Sequence, residues 1–291
     1  MAESAGALSA LHRAEPFHGL PSHLLTLPGG DSIRVLEHGA HVVSWISGGR
    51  ERLFMSSTAR YDGVSALRGG VPICFPQFNQ RGPLPKHGFV RNRAWALTRV
   101  WNDATLGACL TLALQNDDAT RAIWPRAFCV ELTVRLRPHA LDLVLDVHNT
   151  DAHALDFTGA LHTYLQVEDI ADVTLLGLQG RSEWDAVTDV HGQAARELRF
   201  AGEFDRVYAA PEGALDLCGK PGQPVLSITH SPSWAETVVW TPGARLAATL
   251  PDLPVAEAAH MLCVEAAQVM QPVQVPPGGR WQGSQCLAVR R

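Results

Sequence analysis

From Gly63 to Asn102 the sequence contains no aspartate or glutamate, although the chain carries 29 acids against 24 lysines and arginines. Other absences narrow the class of protein. The six cysteines, Cys74, Cys109, Cys129, Cys218, Cys263 and Cys286, form no CxxC pair. Most sit in apolar contexts such as MLCVE and AFCVEL, so they read as buried thiols in a reducing compartment. No apolar run approaches the roughly 18 residues of a membrane helix. The first residues, MAESAGALSALHRAEPF, lack a basic region followed by a long apolar stretch, so the pattern is not that of a signal peptide and a cytoplasmic location is expected. There is no P-loop, no GxGxxG after a strand, no GxSxG and no HExxH. Charged residues make up only 18% and the net charge is −5, a balance unlike that of nucleic-acid binders.

Apolar residues reach 46% of 291 residues, enough for a sizeable core. Short apolar segments recur between Gly, Pro, Asn and Asp, and several alternate. Val130, Leu132, Val134 and Leu136 share one face of a candidate strand, with Glu131, Thr133 and Arg135 on the other. Residues 141–147 repeat the pattern after RPHA, which predicts a hairpin. Many such strands with few helical periods indicate an all-β sandwich in one domain. One segment conflicts with this. Residues 254–270, PVAEAAHMLCVEAAQVM, are Ala-rich and locally favour a helix.

Three polar islands stand in apolar surroundings. The first is residues 68–95, RGGVPICFPQFNQRGPLPKHGFVRNRAW, with Arg68, Arg81, Lys86, His87, Arg91 and Arg93 on irregular backbone. Arginine forks match phosphate or carboxylate oxygens, so an anionic ligand competes here with a solvated loop paired to distant acids. The second is LDFTGALHTYLQVEDI. Read as a strand, it puts Ala160, His162, Tyr164 and Gln166 on one face. Histidine titrates near neutrality and suits proton donation, although a core histidine bonded to a backbone carbonyl is the plainer alternative. The third is HMLCVEAAQVM, where Glu265 is a lone acid among apolar residues. A desolvated carboxylate gains a raised pKa and suits a general base, whereas on a helix Glu265 would simply face solvent. His38 and His41 are an odd number of residues apart, which on a strand faces them oppositely and argues against a metal pair.

The three islands together resemble the hexose-6-phosphate mutarotases (glucose-6-phosphate 1-epimerases) of the aldose 1-epimerase superfamily. RGGVPICFPQF followed by LPKHGFVRNRAW resembles that family's opening signature. TGALHTYLQVEDI, EFDRVY, VVWTPG and MLCVEAAQV match later blocks in the same order, from about Leu20 to Ala288. The resemblance implies a large antiparallel β-sandwich of the galactose mutarotase type, with an N-terminal extension at 1–19 and a single domain at 20–291. It implies that residues 261–269 form a strand, against their local propensity. It also implies His162 as catalytic acid and Glu265 as catalytic base, with Arg68, Lys86, His87, Arg91 and Asp205 at ligand-binding positions. The implied reaction is anomer exchange through the open-chain aldehyde on a small sugar phosphate. No metal or other cofactor and no nucleic-acid or membrane partner is expected, and the chain should be a monomer or weak oligomer. Lys86 stands where the family usually has Gln, and Thr241 where it usually has Asn. An aldose 1-epimerase for unphosphorylated sugars and a non-catalytic carbohydrate-binding protein are the alternatives.

Overall fold

A computed structural model of the chain describes residues 10–220 and 222–290. Antiparallel strands dominate, in sheets of five, nine and eight strands among the described residues. The expected hairpin forms: Phe128–Arg137 pairs with Ala140–Asn149 in register, turning at His139 with a positive φ. These strands lie within the nine-stranded sheet. Their inward Val and Leu side chains join one large core with residues of the eight-stranded sheet, including Phe157, Leu161, Leu262, Val264 and Ala266. Alternate side chains fill the space between two sheets, the packing of a β-sandwich. Cys74, Cys109, Cys218 and Cys263 are buried, while Cys129 and Cys286 are partly exposed.

The first sheet begins earlier than the sequence suggested. Leu11–Phe17, part of the expected extension, pairs along its whole length with Leu20–Thr26. Residues 1–9 of that extension lie outside the described residues.

The ambiguous segment divides. Val255–His260 takes a 3-10 helix, where the Ala-rich propensity is expressed, and Met261–Val275 is one long strand. Its first nine residues, 261–269, are buried on both faces. Leu262, Val264 and Ala266 point into the inter-sheet core, whereas Cys263 and Ala267 pack in smaller clusters on the other face, the face that carries Glu265. Burial on both sides erases the polar half of the alternation, which is why the strand reads locally as a helix.

Candidate active site

Met261–Val275 lies between Leu155–Leu161 on one side and Glu236–Thr241 on the other, and Phe204–Ala209 follows beyond. The register sets Tyr164 opposite Cys263, Val238 opposite Glu265 and Asp205 opposite Trp240. The three islands meet on this outer face. The strand predicted across 157–166 is broken: Leu155–Leu161 ends before His162, and Tyr164–Gln166 resumes the pairing. Thr163 turns into the sandwich core, where its hydroxyl donates to Gln285, and its carbonyl accepts from Val264 N–H. His162 and Tyr164 both remain on the outer side, their rings stacked at 4.8 Å and 10°. Trp240 meets both edge-on.

His162 Nδ1 lies 3.4 Å from Glu265 Oε1. The two residues are 8% and 1% exposed. The contact is too poorly aligned for a hydrogen bond, and His162 Nδ1 and Glu265 Oε2 are buried without partners. Neither plainer alternative holds: His162 bonds no carbonyl through that nitrogen, and Glu265 faces no solvent. Buried polar atoms are nearly always satisfied, so two orphans side by side make this a candidate ligand site. Burial drives both residues toward neutrality. Glu265 is raised well above its ordinary pKa, first by desolvation and then by the Asp205 charge. His162 is held well below its own, first by desolvation and then by Arg91, Arg68 and Lys86. Cations therefore act on the imidazole and an acid on the carboxyl.

The first island supplies those cations. Its glycines let the backbone close up: a Cβ on Gly70, at φ +61, would overlap the Val42 carbonyl, and one on Gly88, at φ +72, the Phe75 carbonyl. His87 is buried, its pKa depressed first by burial, then by His162 and by Arg91, Lys86 and Arg68. Its Nδ1 accepts from Asn79 N–H at 3.2 Å, which leaves the proton on Nε2, and its ring lies 5.5 Å from that of His162. Arg91 donates to the Lys86 carbonyl and keeps a buried Nε unpartnered. Lys86 is exposed. Asp205 is half-buried and pushed up to about 6, by burial and then by Glu203, with Lys86 opposing.

Arg68 is engaged differently from the free ligand the sequence suggested. It donates to Tyr164 Oη and to Asp252 Oδ1, each at 3.1 Å, and lies over Trp240. Sequence reasoning missed Asp252, Gln285 and Trp240 in these roles. Only Trp240 lay in a recognised block, VVWTPG. Arg81 sits over Trp184 rather than with the pair. Thr241 is buried with an unpartnered hydroxyl. His38 and His41 each bond a backbone carbonyl, of Ser65 and Gly69 respectively. A separate recess of about 350 Å³, lined by Arg52, Glu168, Asp172 and Lys220 among others, shares no residue with this cluster.

Comparison with known proteins places the chain in a family. The aldose 1-epimerase family model matches residues 22–287. A protein of Cenchrus ciliaris named "Putative glucose-6-phosphate 1-epimerase" is 33% identical over 264 residues, covering 86% of this chain and 79% of that one. A Salmonella typhimurium protein of the same name is 34% identical over 242 residues, covering 81% and 79%. The crystal structure of a "putative mutarotase (YeaD)" from Salmonella typhimurium superposes with a TM-score of 0.85 at 29% identity, covering 97% of both chains. No helix among the described residues is long and apolar enough to cross a membrane. The chain belongs to the aldose 1-epimerase family, and it is an isomerase of the mutarotase type whose substrate is a small sugar.

Proposed function

We propose that the protein interconverts the α and β anomers of a hexose 6-phosphate, with Glu265 as base and His162 as acid. The observation that carries this reading is the buried pair of unpartnered proton carriers, 3.4 Å apart, with cations acting on one side. The names of the relatives support the phosphorylated substrate. Glu265 takes the proton of the C1 hydroxyl while His162 protonates the ring oxygen. The ring opens to the aldehyde, and rotation about C1–C2 presents the other carbonyl face. Closure returns both protons. The pair thus holds one proton throughout. It rests on Glu265 in the open-chain state and on His162 in the ring-closed state. The resting site favours the neutral arrangement, because burial penalises both charges. An arriving phosphate dianion offsets the charges of Arg91, Arg68 and Lys86, the cations that depress His162, and so favours the arrangement that opens the ring. Asp205 and His87 supply an acceptor and a neutral donor for sugar hydroxyls. The cycle needs no redox or metal chemistry. General acid and base groups each contribute about 10²–10⁴-fold.

The acid-free window supports the same reading, since a carboxylate there would repel the substrate. Anomer exchange measured on a panel of phosphorylated and free hexoses tests it. The expected result is saturable exchange with clear preference for a 6-phosphate. Binding without exchange, or equal rates on free sugars, would sink the proposal.

A further inference from the structure

The proton-transfer mechanism gives no task to one side chain that touches its centre. Cys263 lies two residues before Glu265 on the same face of Met261–Val275, directly opposite Tyr164 in register. Ligand atoms of His162, Cys263 and Glu265 lie within 4.8 Å of one another, and all three residues are buried. Two of these side chains carry atoms without a hydrogen-bond partner, His162 Nδ1 and Glu265 Oε2. An imidazole nitrogen, a thiol sulfur and a carboxylate oxygen are the donor types that bind zinc. Ligands of a tetrahedral zinc ion stand about 3.5 Å apart, given metal–ligand bonds of about 2.0–2.3 Å. The His162–Glu265 separation of 3.4 Å already meets that, and the Cys263 sulfur lies within 4.8 Å of the other two ligand atoms. A fourth position remains for water.

We propose that His162, Cys263 and Glu265 form a binding site for a soft divalent cation, zinc or cadmium, which blocks anomer exchange. The ion would tie up both proton carriers, so it is an inhibitor and not a cofactor. Magnesium and calcium prefer all-oxygen shells and find a single carboxylate in this triad. Binding rests on the geometry alone. Inhibition rests also on the reading of Glu265 and His162 given above. A metal-binding measurement therefore stays informative even if no sugar is turned over.

Cobalt(II) titrated into the reduced, metal-free full chain tests the binding. The expected result is a saturable one-to-one complex with a thiolate-to-cobalt charge-transfer band, displaced by zinc. Cys263→Ala should lose that band and bind at least tenfold more weakly. Cys263→Ser, closer in size, guards against a folding defect in the first variant. Zinc should stop exchange by the wild type, with recovery on chelation, while both variants retain ordinary exchange and resist zinc. A band that persists in both variants, or no saturable complex, overturns the site. Zinc bound through Cys263 without slowing exchange overturns its inhibitory role.

Discussion

Glu265 is a residue whose usefulness conflicts with the fold's stability. Its folded pKa lies above the ordinary value of 4.5 because burial penalises the charge. The stability tied to it is therefore full below about pH 4.5 and is lost as pH rises through the raised folded value. At neutral pH the carboxyl costs stability, and a neutral isostere removes that cost. Glu265→Gln should lower exchange by about 10²–10⁴-fold, while the melting temperature near neutrality stays level or rises. A sharp drop in melting temperature would assign Glu265 to the fold instead. Asp205 offers a complementary test through its charge. It helps raise Glu265, so Asp205→Asn should move the alkaline limb of the kcat–pH profile to lower pH, where the pair loses its last proton earlier. An unmoved limb would separate the two carboxyls. The proposed acid and base drew notice in the sequence because a lone imidazole and a lone acid stood out among apolar neighbours, and only the family resemblance gave them their roles. Asp252 did not, because an acid in a Pro-rich surface loop has no distinguishing context, and its tie to Arg68 spans 184 positions.

The glycine- and proline-rich segment at 68–95 acts as a scaffold for cations, and the structure separates two of them. Arg91 keeps an unpartnered Nε, whereas Arg68 is held by Asp252 and by Tyr164, whose ring stacks on His162. Arg91→Ala should weaken the phosphorylated sugar by about 30-fold or more, the cost of truncating one partner of a desolvated charge pair, and leave the free sugar nearly untouched. Arg68→Ala should also lower kcat on both sugars, because it loosens the ring that backs the acid. Separate kcat and KM values for the two sugars in each variant check this. Equal losses in both parameters for both variants would reduce the two arginines to structural supports. The alternating strands of the nine-stranded sheet were plain in the sequence, since one face of Phe128–Arg137 is partly exposed. The start of Met261–Val275 was not, since burial of residues 261–269 on both faces hid its period. The break at His162 was also invisible locally, because the bonds to Gln285 and Val264 that enforce it come from distant strands.

The sandwich makes the site possible by giving residues 261–269, within the eight-stranded sheet, two buried faces. One closes on the nine-stranded sheet through the large core, and the other carries the proposed catalytic pair. The number and alternation of strands made the fold class legible. The sheet order was not, because neighbours such as Glu236–Thr241 and Phe204–Ala209 are separated by strands that belong to the other sheet. Across the assembled site, the charges of Arg91, Arg68 and Lys86 depress His162 and that of Asp205 raises Glu265, each after burial, and the proposed substrate would add a dianion to this balance. The most direct measurement is the catalysed α–β exchange rate by NMR, on glucose 6-phosphate and on glucose side by side. The expected result is a kcat/KM for the phosphorylated sugar at least tenfold higher, with Glu265→Gln silent on both. Equal rates on the two sugars, or undiminished exchange by Glu265→Gln, would contradict the account.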